Sequence, residues 1–346
     1  MPKAMDYAHT TNETHIFSVG EQALSRNGVP TAGYSLMGDV VYTRNRVRSA
    51  PWRLKEWDFY QISDDRLCLQ LVIGHVSYVG NCNIALFDHV TGERIFERGV
   101  ITPLPFRSMH LPESAHSDSK LSFSHGGADL SFETKDDIRH LRANFGGFSA
   151  DVHLTPTIRE SITVCTPFSG QHEFYYNEKI NLLRADVNVS LDGKLFSFDP
   201  ERTFSLLDWG RGVWPFSHEW YWSSVSTRLN GEPFGFNLGC GFGAEEKARG
   251  TENIVYYNGQ AIKLGRVSIR HEENVLLPWH FEAEDGRFTA TLTPRYDRDT
   301  ITKLLIVNNR CHQMFGTFSG SFLHNDGTCV SFSDVVGFAE HAVNHW

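Results

Sequence analysis

Five dipeptides set the main constraint on this chain: Asp192-Gly193, Asn230-Gly231, Asn258-Gly259, Asp285-Gly286 and Asp326-Gly327. Asn-Gly and Asp-Gly supply the positive φ angles that two-residue β-hairpin turns need. The runs between them alternate with a period of two. In GRFTATLTP, Phe288, Ala290 and Leu292 share one side while Arg287, Thr289 and Thr291 share the other. ITKLLIVNN alternates less cleanly and reads as more buried. Helical stripes with caps are scarce, and the best helical candidate is the short tail VVGFAEHAVNHW. The expectation is an antiparallel, nearly all-β protein.

The 346 residues suffice for one large domain or two ordinary ones. KEWDFYQI, from Lys55 to Ile62, resembles HEWYWSSV, from His218 to Val225, at an offset near half the chain. A duplicated unit accounts for both the length and the echo. It divides the chain into an extension over residues 1–20, an N-terminal half over 21–170 and a C-terminal half over 171–346. The boundary is expected near 165–180.

The formal net charge of −9 and pI near 6.0 argue against a nucleic-acid partner. No apolar run is long enough for a membrane span, and the N-terminus lacks the apolar core of a secretory signal, so a cytoplasmic address is expected. A peripheral membrane association stays open. The six cysteines are scattered without a CxxC pair and read as free thiols. The 17 histidines include no HExxH and no HxH, so no metal site is expected.

LLDWGRGVWPFSHEWYW, from Leu206 to Trp222, holds four of the eight tryptophans beside Asp208, Arg211, His218 and Glu219. A core favours the rings without the charges, and a solvated loop the reverse. The mixture points to a pocket. Read as a strand, HEWYWSSV places His218, Trp220 and Trp222 on one face and Glu219 and Tyr221 on the other. Its partner FGFNLGCGFG puts Phe234, Phe236, Leu238, Cys240 and Phe242 on one face. Gly235, Asn237, Gly239, Gly241 and Gly243 make the other. A glycine face wants something bulky against it, either a ring such as Trp220 or Trp222 or a ligand. The rings fill a core or line a cavity inside a barrel; both readings use the same residues.

Asp208 either pairs with Arg211 or another cation, or stands as a carboxylic acid among rings, where desolvation keeps its proton on. His218, on the tryptophan side, or Glu219 is the complementary base. Trp57, Trp209, Trp214, Trp220, Trp222, Arg211, Asn237 and Glu252 are the candidate binding residues. Thr251-Glu252-Asn253 suits a loop near the barrel mouth, and Phe338-Ala339-Glu340-His341 offers a further acid and imidazole.

The quoted stretches, with NGEPFGFNLGCGFG, TENIVYYNGQAIKL, DGRFTATLTP, PWRLKEWDFY and the tail, resemble the bacterial family called domain of unknown function 2804. A more distant resemblance, in the order of an Asp-Trp element, an aromatic strand, a hairpin and a closing tail, is to the carotenoid hydratases, tocopherol cyclases and Diels–Alderases. That resemblance implies two tandem lipocalin-like antiparallel β-barrels, or strongly curved sheets, packed together, and no cofactor. It implies an acid at Asp208 protonating a double bond, with Trp209, Trp220 and Trp222 facing the carbocation. Arg211 departs from that chemistry and suits an anionic group on the ligand. The expected function is acid catalysis on a hydrophobic, isoprenoid or lipid-like small molecule: hydration, isomerisation or cyclisation. The alternatives are a lipid-like ligand carrier without chemistry and, third, a carbohydrate-active or carbohydrate-binding protein. The oligomeric state stays open.

Overall fold

The computed structural model describes residues 15–103, 109–243, 250–304 and 307–345. The first fourteen residues of the expected extension, and Trp346 of the expected helical tail, lie outside these. Thirteen strands form the first sheet. They are β1 (Gly33–Ser35), β2 (Leu54–Ser63), β3 (Leu67–His75), β4 (Val79–Asp88), β5 (Glu93–Pro103), β6 (Ser119–His125) and β7 (Ala128–Lys135). β8 (Ile138–Phe145), β9 (Phe148–Pro156), β10 (Ile162–Pro167), β11 (Phe174–Leu191), β12 (Lys194–Phe196) and β13 (Phe204–Val213) complete it. The second sheet starts with β14 (Ser217–Leu229), β15 (Glu232–Cys240), β16 (Ile254–Tyr257) and β17 (Gln260–Lys263). It continues with β18 (Val267–Arg270), β19 (Trp279–Ala283), β20 (Phe288–Leu304), β21 (Val307–Leu323) and β22 (Cys329–His345). The first sheet closes almost into a barrel and the second forms half of one, in a lipocalin-like arrangement.

The turns follow the dipeptides. Asp192-Gly193, Asn230-Gly231 and Asn258-Gly259 have positive φ at both residues, as a type I′ turn requires. At Asp285-Gly286 and Asp326-Gly327 only the glycine does. The tail is not helical. It is β22, the strand that pairs with both β14 and β21. Its alternation of Phe338, Glu340 and Ala342 against Ala339, His341 and Val343 has a strand's period, and two long partners on either side override the helical tendency of its alanines. No helix among the described residues is long and apolar enough to cross a membrane.

The strand order is β5-β4-β3-β2-β13-β11-β9-β8-β7-β6 in the first sheet and β17-β16-β15-β14-β22-β21-β20-β19-β18 in the second. In each, a four-strand meander is followed by a jump to the last strand. β2 and β14 hold equivalent places, and these strands carry the two Glu-Trp pairs, Glu56-Trp57 and Glu219-Trp220. The chain passes from one sheet to the other between Val213 and Ser217 rather than near 165–180. Residues 171–213 belong to the first sheet because β11 and β13 close it beside β2. The echoed segments open their meanders at β2 and β14, and the change of sheet falls just before β14.

Each sheet has its own interior, and a third apolar layer lies between them. Tyr60, Leu71, Leu141 and Trp209 belong to the first interior, and Phe234, Phe236, Phe288 and Phe318 to the second. Trp222, Phe315, Phe338 and Leu206 pack between the sheets.

The first interior is not wholly apolar. Arg211 donates from Nη2 to Asp58 Oδ1 at 2.9 Å and from Nη1 to the Trp57 carbonyl at 2.6 Å, and its guanidinium lies 3.7 Å from the Trp209 ring centre. Glu56 accepts from Arg44 Nε at 3.0 Å and lies 3.0 Å from His75 Nε2. Burial pushes the Glu56 carboxyl up, but His75, Arg211 and Arg44 together outweigh it and hold the group below its usual range. Breaking one partner of such a network leaves a buried charge uncompensated. Arg211→Met is expected to lower stability by about 3–5 kcal/mol in urea unfolding. A loss under about 1 kcal/mol would mean the network is solvated.

Candidate functional site

β13 is buried on both faces, and its alternation decides what each face meets. Trp209, Arg211 and Val213 enter the first interior. Asp208, Gly210 and Gly212 face the second sheet. A Cβ on Gly210 would lie 2.1 Å from Trp57 Cζ2, and one on Gly212 would lie 3.0 Å from Trp214 Nε1. Gly210 therefore makes room for the Trp57 indole, and Gly212 for the Phe174 carbonyl first and the edge of Trp214 next.

Six strands converge on this layer. β2 brings Trp57 and Phe59, β3 brings Val72, β11 brings Tyr175 and Lys179, and β13 brings Asp208. β14 contributes Trp220 and Trp222, and β22 contributes Glu340 and Asn344. Together with Trp214 and Phe242 they line a partly open cavity of about 290 Å³. Most of its wall is aromatic, and its polar groups are few.

Lys179 Nζ lies 2.8 Å from Asp208 Oδ1 and 4.0 Å from the centre of the Trp222 ring. Asn177 Nδ2 donates to the same carboxylate oxygen. Glu340 Oε1 accepts from Trp220 Nε1 at 3.1 Å. Burial pushes the Glu340 carboxyl above its usual range, and the Trp220 N–H and the Lys179 charge offset this only in part. Behind Tyr175 lies a third carboxyl, Glu252, which accepts from the Tyr175 hydroxyl at 3.0 Å. Burial pushes it up as well. Three carboxyl groups thus surround one ammonium. Such a site can hold a proton on one acid while a second stays paired with the cation.

Of the residues expected from sequence, Trp57, Asp208, Trp214, Trp220 and Trp222 meet at this cavity. Trp209 and Arg211 do not, being on the opposite face of β13. Asp208 and Arg211 do not pair, because a spacing of three on a strand puts them on opposite sides; Asp208 takes Lys179 and Arg211 takes Asp58. Glu219 points away, as the alternation of β14 requires, and lies 2.7 Å from His341 Nε2. His218 shares the tryptophan face but stops behind the wall, its ring 5.0 Å from Trp214 and 4.9 Å from Phe168. Asn237 is a support: its Oδ1 accepts from Trp222 Nε1 at 2.7 Å, and its Nδ2 donates to the Glu252 carbonyl at 2.9 Å. Glu252 lines a neighbouring cavity of about 160 Å³.

The glycine face of β15 is covered, but not by the tryptophans. A Cβ on Gly235 would meet the Val225 carbonyl and Leu182, and one on Gly239 would meet Glu252 and Phe242. Sequence reading missed Lys179, Tyr175, Phe59 and Phe242. It noted Glu340 only beside His341, whereas neighbouring strand positions face apart. The available signal was alternation in FYYNEK, which places Tyr175, Asn177 and Lys179 on one face of β11. Outside the cavity, His140, Asp151 and His153 bring three ligand-type atoms within 4.8 Å of one another on β8 and β9. Spacing motifs within one segment cannot find a group built across two strands. Arg142 also reaches Asp151, with Nε 3.5 Å from Oδ2.

Solved structures share the fold at low identity. Kievitone hydratase from Nectria haematococca superposes with a TM-score of 0.53 at 13% identity, covering 95% of this chain and 97% of that one. The protein CghA gives 0.56 at 10% identity, covering 94% and 97%, and its structure with Sch210972 gives 0.55 at 10% with the same coverage. At these identities the likeness is one of fold. No curated protein matches the chain.

Burial holds the His218 imidazole down to about 4, against an accepting effect of the Gly241 backbone and the charge of Glu219. Below pH 6.5 the unfolded chain protonates this ring, while the folded protein does so only near 4. The unfolded state therefore binds more protons across that window, and the contribution to stability falls as pH falls. His218→Phe is expected to narrow the drop in urea midpoint between pH 7 and pH 5. An unchanged drop would assign the acid sensitivity to other groups.

Proposed function

The chain belongs to the family described as Domain of unknown function (DUF2804), whose profile matches residues 11–346, and we propose that it is an enzyme working by acid–base catalysis on a hydrophobic small molecule. The observation that carries this is Glu340. It is a carboxyl on the wall of an aromatic cavity, pushed up by burial and oriented by the Trp220 N–H. A carboxylic acid in such surroundings can give its proton to a double bond or a carbonyl oxygen.

In a hydration, the Glu340 proton goes to one alkene carbon and leaves a cation on the other. The faces of Trp57 and Trp220 stabilise that cation. Water then forms the C–O bond and loses its proton to Asp208. In an isomerisation or cyclisation, Asp208 takes the proton from a substrate carbon instead. Lys179 and Asn177 both engage Oδ1 of Asp208, and they fix the carboxylate while its other oxygen receives the proton. The fold shared with kievitone hydratase supports the class of reaction without naming the substrate.

A carrier without chemistry is the second reading, and the Lys179–Asp208 pair favours it, since a locked carboxylate suits a purely structural lining. The burial of Trp214 and Trp222 weighs against an open sugar groove.

Organic extraction of the purified protein, followed by mass spectrometry, supplies a candidate substrate for turnover. Glu340→Gln and Asp208→Asn are each expected to lower kcat by about 100-fold to 10,000-fold with KM little changed. Full turnover by Glu340→Gln would remove it as the acid. The same unaltered molecule extracted from wild type and both variants would establish the carrier.

A further inference from the structure

We propose, resting on the reading of the site above, that the cavity takes an uncharged molecule about the size of two fused rings, and that Phe242 is the wall that sets this size.

The charge follows from the accounting of the wall. Lys179 is the one cation lining the cavity among the described residues. It is already committed, with Asp208 Oδ1 at 2.8 Å and the Trp222 ring beneath it at 4.0 Å. Glu340 and, behind Tyr175, Glu252 add two further carboxyls. An anionic head, such as a fatty acid's carboxylate or a prenyl diphosphate, would be desolvated among three carboxyl groups without a cation to meet it. Arg211, the cation that the sequence offered for such a head, is on the other face of β13 and bound to Asp58.

The size follows from the volume. A cavity of about 150 Å³ holds a benzene ring. The 290 Å³ here is close to twice that. It suits about a dozen non-hydrogen atoms, so an extended isoprenoid of about twenty carbons would leave much of its chain outside the aromatic wall. Its four tryptophans offer flat faces to a flat guest.

Phe242 stacks on Tyr175 with ring centres 4.8 Å apart and planes at 16°. Both rings line the 290 Å³ cavity and also the 160 Å³ one beside it. Tyr175 is fixed by its hydroxyl on Glu252. Phe242 is flanked by Gly241 and Gly243, both at positive φ. Cutting back the Phe242 ring joins the two spaces and lengthens the site, while the acid and the ion pair stay in place.

Isothermal titration tests this at pH 7 with three probes: 2-naphthol, 2-naphthoate and 1-pyrenemethanol. Wild type is expected to bind 2-naphthol, with 2-naphthoate and 1-pyrenemethanol each weaker by about tenfold or more. Phe242→Ala is expected to gain about tenfold or more for 1-pyrenemethanol. Phe242→Leu gives the same readout in smaller measure and serves if the alanine variant does not fold. Naphthoate binding as well as naphthol overturns the charge assignment. Pyrenemethanol binding wild type as well as naphthol, or a folded Phe242 variant with no gain, overturns the size assignment. Failure of all three probes overturns both. These are binding measurements, so they stand or fall separately from the turnover of Glu340→Gln.

Discussion

β13 is buried on both faces, and much of the structure follows from that. A strand between two interiors has no solvent side on which to place a charged residue. Each of its polar side chains must find a partner in one interior or the other, and the period of two decides which. Arg211 falls to the first barrel, where Asp58, Glu56 and backbone carbonyls receive it. Asp208 falls to the layer between the sheets, where Lys179 and Asn177 receive it. Gly210 and Gly212 complete the second face, and the missing side chain at Gly210 is what allows Trp57 to stand over the strand.

The layer between the sheets is therefore built from both sheets at once. β2, β11 and β13 supply the cation, one carboxylate and part of the aromatic wall. β14 and β22 supply two tryptophans and Glu340. Neither sheet alone holds both the acid and the ion pair. The contact is further tied by a buried amide, Gln70 Nε2, which donates to Gln61 Oε1 and to Gln313 Oε1, both at 2.9 Å. Inside such a layer an unpaired charge is costly and a protonated carboxyl is the cheaper state. The same burial that favours a proton on Glu340 also disfavours any guest that carries a negative charge.

Much of the fold was legible in the sequence because its signals are local. Asn230-Gly231 and its counterparts mark hairpins by backbone conformation alone, and Phe288, Ala290 and Leu292 mark a buried face by parity. Parity also placed His218, Trp220 and Trp222 together and set Glu219 apart. The same rule, applied to Asp208 and Arg211, rules out the pairing that their nearness in sequence suggested. The tail was misread because its Ala and Glu residues suit a helix in isolation, while β14 and β21 make it a strand. Lys179 and Glu340 come from strands far from Asp208 in the chain, and their convergence is a property of sheet order. His218 and Asn237 were placed on the correct strands but one layer too close to the cavity. Depth behind a wall is set by tertiary packing and leaves no mark on alternation.

The claim on which the proposed chemistry turns is that Glu340, its carboxyl pushed up by burial, is the acid that carries the proton. Infrared difference spectroscopy of wild type against Glu340→Gln tests it directly. The account predicts a protonated carboxylic C=O band in the wild type at pH 7 that the variant lacks, with any band from Glu252 common to both. A difference spectrum showing only the loss of a carboxylate band would contradict it, and would leave the cavity without its acid.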